Sequence, residues 1–304
     1  MSEQADESFC AVAQLWMESK YASVKPYTAE KYRANLEKHL LPAFGNRKVS
    51  DISCDLVTDF LEDMMKGKGP GRKPVSENTA HAMLVQLHNI LRFASEECGL
   101  NVQEISGASL KKRHTQPRIL SREEERLLRE RLAEEENLRN LGILLCLDAG
   151  LRVGELSALK WEDISLRDHT VYIHRSVIRV PVHTGDTRTK LQLTTPKGEQ
   201  SVRRVPVPEA DALRLEPFRG PDENFFLTGD AEKFADNRTL QYHLKKIMTT
   251  CGIENAGFNT LRDTFAVRYL EGGGSLLQLS RILGHINVAF TAGHYLPACE
   301  EQPS

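Results

Sequence analysis

Four short stretches of this 304-residue chain set a cation, an imidazole or a phenol beside a helix end or a turn. In Gly150-Leu151-Arg152-Val153-Gly154-Glu155-Leu156 an apolar helix stops at Gly150 and another begins near Val153. Arg152 then stands at a helix N-terminus, where the dipole and the free N–H groups favour an anion; the plainer reading is a surface arginine paired with Glu155. In Thr195-Pro196-Lys197-Gly198-Glu199, followed by Arg203 and Arg204, a lysine occupies a turn between two strands and is able to present a proton. Taken alone, a turn lysine is simply solvated. In Phe258-Asn259-Thr260-Leu261-Arg262-Asp263-Thr264, Asn259 suits an N-cap and Arg262 falls in the first turn, again facing an anion. The fourth stretch is Leu283-Gly284-His285, with Tyr295 ten residues after the histidine.

Helices dominate the elements that must hold these groups. Thr28 is read as the N-cap of a helix over Ala29 to Leu40, with Tyr32, Leu36 and Leu40 on one face and Pro42 ending it. Ser53 caps a second helix through Met65, KGKGPGRKP (66–74) is a loop by composition, and Ser76 starts a long helix to Cys98, stopped by Gly99. Periodicity then disappears up to Arg118, where SGASLKKRHTQPR reads as an interdomain linker, long enough when extended to span roughly 40 Å and reach around a duplex. Beyond it a capping box, Ser121 with Glu124, leads a helix to about Glu136, and Leu138 to Ala149 is a helix of core type. Thr170–Ile178, Lys190–Thr195 and Val202–Val207 alternate as strands; helices return at Arg238–Cys251, Thr260–Glu271 and Ser275–Leu283. The fold class is mainly α with a small antiparallel β-sheet (α+β), divided as 1–105, a basic linker 106–118, and 119–304.

Composition narrows the function classes. No apolar run approaches the length of a membrane span, and the N-terminus lacks the charged and apolar regions of a secretory signal. Six cysteines lie far apart without a CxxC pair, so they read as reduced thiols of a cytosolic protein rather than a disulfide framework or a zinc site. Acidic and histidine residues show no metal-ligand spacing, so no cofactor and no metal are expected. Forty Lys and Arg against 42 Asp and Glu give a net charge of −2, which does not by itself announce a nucleic-acid partner. The basic residues are clustered, however, at Lys66, Lys68, Arg72 and Lys73 and again at Lys111, Lys112 and Arg113, and these are the candidate DNA contacts; the alternative is an ordinary solvated face.

Taken in order, the four stretches resemble the tyrosine recombinase (phage integrase) family, whose pattern is GLRxxEL, a lysine in a β-hairpin, HxLRHTFAT, LGHxxxxxT and a tyrosine near the C-terminus. Lys25 to Met65 is similar to the family's helical core-binding, SAM-like domain, so the likeness covers nearly the whole chain, and LGHINVAFTAGHY looks closest to integrases of conjugative transposons. Many of those carry a further N-terminal arm-binding domain, of which none is visible here. The resemblance implies two domains that clamp DNA and a site-specific recombinase that cuts and rejoins strands through a 3′-phosphotyrosine. By position, Tyr295 is the nucleophile, Arg152 and Arg262 flank the scissile phosphate, His285 hydrogen-bonds it, Lys197 is the general acid, and Glu155 supports the first arginine. It further implies a homotetramer on double-stranded recombination sites in the bacterial cytoplasm, associated with the nucleoid. Integration and excision of a mobile element is the implied setting, with an accessory excision or host DNA-bending protein as a partner and no membrane.

Two positions depart from the pattern. Asn259 replaces the first histidine of HxLRH; an amide can donate to a phosphate oxygen but does not relay a proton, so Asn259 is either a catalytic contact or a plain cap. Asp263 replaces the second, where it orients Arg262 or lowers the local positive potential. The short tail after Tyr295 leaves little to exchange between protomers, and His294 is expected at the surface because neighbouring helical residues point about 100° apart. The chemistry suits the residues: charge accumulating on the non-bridging oxygens calls for rigid, always-charged guanidiniums. The rival readings are a type IB topoisomerase, a non-catalytic DNA-binding regulator of the same fold, and a helical scaffold with no role on DNA.

Overall fold

The computed structural model describes residues 7–68, 73–105, 107–108, 116–181, 189–195 and 199–300. The chain divides into two compact units, Met1–His114 and Thr115–Ser304.

In the first unit α1 (Phe9–Ser23), α2 (Pro26–Asn35), α3 (Leu41–Phe44), α4 (Cys54–Lys66) and α5 (Glu77–Glu96) pack around Phe9, Trp16, Phe44, Leu87 and Ile90, all fully buried. Two sequence expectations are corrected here. Lys25, not Thr28, caps α2, because Pro26 with its fixed φ fills the first helical position. Pro42 does not stop the helix: the chain widens into a π-type turn over Leu36–Leu40, in which the Leu41 N–H donates to the Leu36 carbonyl, and helical backbone continues to Phe44. Ser53 and Ser76 cap α4 and α5 as expected, each hydroxyl accepting a backbone N–H three residues on.

The second unit opens with α6 (Arg122–Ala133), whose Ser121–Glu124 capping box is formed in both directions. Next comes α7 (Leu138–Ala149), buried on nearly every side, and then the short α8 (Val153–Ala158). β1 (Ile164–Ser165), β2 (Thr170–Ile173), β3 (Ser176–Pro181), β4 (Thr189–Thr194) and β5 (Arg203–Pro206) follow, and the rest is α9 (Glu209–Leu215), α10 (Asn237–Thr250), α11 (Phe258–Glu271), α12 (Leu276–Leu283) and α13 (Val288–Glu300).

The expected single sheet is two. β1, β2 and β5 form one antiparallel sheet in that order, with Val171 opposite Val205 and Ile173 opposite Arg203, while β3 and β4 form a separate hairpin. The expected strand 170–178 breaks at His174 and Arg175, whose side chains both turn to the buried Asp163 carboxylate. Alternation alone does not register such a tether. The described strands on either side of Lys197, β4 and β5, therefore belong to different sheets.

Candidate active site

Arg152 is fixed from below. It is the N-cap residue of α8, and Glu155, one turn on, accepts both its backbone N–H and its Nη1, each at 2.9 Å. The Glu155 side chain is 3% exposed and is also gripped from behind by Arg203 of β5, whose Nη1 and Nη2 donate to the two carboxylate oxygens at 2.9 Å. Four N–H donors thus use the lone pairs of one carboxylate, and they hold it ionised: burial opposes the charge, but Arg203 and Arg152 bring the Glu155 pKa down to about 2. Arg203 also donates to the carbonyl of Ile282 at the end of α12, so one buried guanidinium ties β5, α8 and α12 together. The side chain of Arg152 remains 41% exposed and faces outward with donors to spare.

Arg262 is held differently. It is the fifth residue of α11, past the first turn, and is buried, donating to the carbonyls of Gly150 and Leu283. Both carbonyls lie at helix C-terminal ends, where α7 and α12 terminate in left-handed glycines. Gly150 (φ +65°) has no room for a side chain, since a Cβ would stand 2.6 Å from the Phe265 ring, while at Gly284 (φ +64°) a Cβ would stand 3.1 Å from the Arg203 side chain. Burial and the neighbouring Arg152 lower the Arg262 pKa to about 10, which leaves the group charged at neutral pH.

His285 follows Gly284. Its Nε2 lies 3.3 Å from Arg262 Nη2, a donor, and its Nδ1 lies 2.9 Å from the hydroxyl of the buried Thr291. The neutral ring that fits this pair carries its proton on Nδ1 and gives it to Thr291. Burial, then Arg262, then Arg152 push the pKa down to about 4, so the imidazole is uncharged at pH 7. Arg152, Glu155, Ser176, Ser201, Gly284 and His285 line a depression of about 500 Å³. With Arg203 and Arg262 behind it, three guanidiniums stand around the Glu155 carboxylate, a local excess of positive charge that attracts an anion.

Tyr295 sits in the middle of α13, 2% exposed, packed with Ala266, Val267, Leu279 and Leu283. Its ring lies nearly parallel to His285, 6.3 Å between centroids, and its hydroxyl donates to Asp263 Oδ1 at 2.9 Å. Burial first, then the Asp263 charge and hydrogen bond, push the phenol pKa above its usual value, against the opposing pull of Arg262 and Arg152. His294 is not a plain surface residue: its Nε2 turns to within 3.8 Å of Asp263 Oδ1, and its ring stacks on Phe290.

The structure therefore gathers Arg152, Glu155, Arg262, His285 and Tyr295 from α8, α11, α12 and α13. It does not bring Asn259 into that group. Asn259 is the second residue of α11; the cap is Gly257, whose N–H is taken by the Thr260 hydroxyl at 3.1 Å, so the expected asparagine cap is corrected. The Asn259 side chain is exposed and lines a different depression, shared with α10 and Val153. Lys197, Arg72, Lys111, Lys112 and Arg113 lie outside the described residues. Lys66 and Lys68 pair with Glu62 and Asp63 of α4, and Lys73 is exposed. Sequence reading missed the structural part of Arg203, which looks like one more strand arginine until Glu155 is seen beneath it, and the contact of Thr291 with His285.

Comparison with known proteins identifies the family. Residues 117–301 match the phage integrase family, and residues 8–65 match the N-terminal SAM-like domain of phage integrases. The chain belongs to the phage integrase family, that of the tyrosine recombinases. It is a site-specific recombinase, an enzyme that cleaves and rejoins DNA strands. It is 28% identical over 307 aligned positions to the tyrosine recombinase XerC-like protein of Caldanaerobacter subterraneus, covering 92% of this chain and 76% of the relative. The fold matches the Tn1549 transposon integrase in complex with a circular intermediate DNA at a TM-score of 0.75 and 16% identity, covering 95% of each chain. It also matches a lambda integrase tetramer bound to a Holliday junction at 0.66 and 14% identity, covering 91% of this chain and 77% of the other. Among the described residues no helix is long and apolar enough to cross a membrane.

Proposed function

We propose that Tyr295 attacks a phosphodiester of duplex DNA seated against Arg152 and Arg262, forming a 3′-phosphotyrosine and freeing a 5′ hydroxyl. The observation that carries this reading is the pocket itself: guanidiniums fixed by buried partners, a neutral His285, and a phenol on the adjoining helix. Arg152 and Arg262 stabilise the charge that builds on the non-bridging oxygens; losing one such preorganised donor typically raises the barrier by roughly 2.7–4 kcal/mol. Glu155 positions Arg152. A phosphate arriving at Arg262 takes over its donor; His285 then binds the same oxygen as the other neutral tautomer, with Nε2–H donating to the phosphate and Nδ1 accepting from the Thr291 hydroxyl. Lys197 protonates the leaving oxygen, and Asn259 is at most a phosphate contact. The phosphotyrosine conserves the energy of the broken bond, so the step needs no nucleotide cofactor.

Residues 1–105 supply DNA binding and 106–118 the link to the catalytic part, 119–304, with Lys66, Lys68, Arg72, Lys73, Lys111, Lys112 and Arg113 as phosphate contacts. The working form is a homotetramer on paired sites that integrates or excises a mobile element in the bacterial cytoplasm, aided by an accessory DNA-bending protein. The test is a pool of nicked duplexes with a randomised segment, incubated with the protein in EDTA and recovered as detergent-resistant protein–DNA adducts. Adducts that form with this chain and vanish in Tyr295→Phe support the reading. Their absence under every condition favours a DNA-binding regulator without chemistry, and relaxation of plasmids without recognition sites favours a topoisomerase.

A further inference from the structure

The Tyr295 hydroxyl is already engaged, and its acceptor is a carboxylate oxygen, Asp263 Oδ1, at 2.9 Å. Among the described residues, the other charged and titratable groups that face it are poor proton acceptors. Arg152 at the start of α8 and Arg262 on α11 only donate. His285, after α12, has committed Nδ1 to Thr291 and Nε2 to Arg262. Among the described residues the phenol makes no hydrogen bond to His294 on α13, whose Nε2 is turned instead to Asp263 Oδ1, 3.8 Å away.

We propose that Asp263 is the general base of strand cleavage, receiving the phenolic proton as Tyr295 attacks. The inference rests on the nucleophilic role proposed above for Tyr295. In the step, the bond from the Tyr295 Oη to phosphorus forms and the bond from phosphorus to the 5′ oxygen breaks. The phenolic proton moves to Asp263, and the proton of Lys197 moves to the leaving oxygen. Religation returns both protons along the same routes. Asp263 is thus a catalytic residue: it touches a reacting atom at the separation a base requires. The carboxylate suits a site crowded with guanidiniums, where an imidazole is kept neutral and occupied.

The experiment uses the full chain and the nicked duplexes recovered above, and follows the rate of adduct formation against pH. Asp263→Asn keeps shape and one acceptor oxygen but loses the base. It is expected to slow adduct formation about 100- to 10,000-fold, and its residual rate should climb about tenfold per pH unit as the free phenol ionises. Added formate should restore part of the rate to Asp263→Ala, with folding of both variants checked by circular dichroism. An Asp263→Asn rate equal to or above that of the unaltered chain overturns the proposal, because the carboxylate then only restrains the phenol. A slow rate that is flat with pH and indifferent to formate also overturns it, leaving Asp263 a merely structural contact. No adduct from the unaltered chain refutes instead the role given to Tyr295.

Discussion

Replacing Arg203 with Met tests whether the site is built on the Glu155–Arg203 pair. The change keeps most of the apolar stem but leaves the Glu155 carboxylate, 3% exposed, with Arg152 as its remaining ionic partner. Removing one member of a buried pair costs about 3–5 kcal/mol. An independent route gives a similar size: holding a carboxyl down from an ordinary 4.5 to about 2 stores roughly 3 kcal/mol of linkage free energy. The sign with pH follows. With Arg203 present, Glu155 titrates below its unfolded value, so that stability is complete above about pH 4.5 and is lost as pH falls toward 2. Without Arg203, burial dominates and Glu155 titrates above its unfolded value, so the variant recovers relative stability as pH falls. The gap between the two proteins is therefore largest near neutrality and narrows toward about pH 5. Urea unfolding at both pH values measures it. The chain has two tryptophans, one in each unit, so a Trp16→Phe background leaves buried Trp161 to report on the second unit alone. A gap under about 1 kcal/mol at neutral pH, or one that widens in acid, would refute the pair as the foundation of the site.

Three further outcomes follow from the geometry. Thr291→Val removes the acceptor on His285 Nδ1 and should slow adduct formation about tenfold, since an unpaired buried donor costs about 1–3 kcal/mol; an unchanged rate means the ring is oriented by other contacts. Because the His285 pKa falls from 6.5 to about 4 on folding, the unfolded chain takes up this proton first as pH drops, and stability declines between those values, by about 1–2 kcal/mol at pH 5. His285→Gln should flatten that part of the stability curve. Gly150→Ala combines a left-handed backbone with a contact to Phe265 and should lower stability by about 1–3 kcal/mol in the same fluorescence assay.

The local grammar of this protein is written in its sequence. Ser53, Ser76 and the Ser121–Glu124 box cap helices because a hydroxyl or carboxylate three residues from a free N–H closes the bond whatever lies around it. The stretches around Arg152, Arg262, His285 and Tyr295 are legible for a different reason: none is decisive alone, but their order along the chain resembles a family pattern. Partners distant in the chain were not legible. Arg203 and Glu155 are separated by 48 residues, and Tyr295 and Asp263 by 32. Only packing turns Arg203 from a strand residue into a buried tie, and only the docking of α13 on α11 makes Asp263 the acceptor for the phenol. The division of the strands into two sheets has the same origin, because alternation marks a strand but not its neighbour. Charge placement and helix ends act within a turn or two of chain, whereas burial decides which of those groups meet and what proton each one holds.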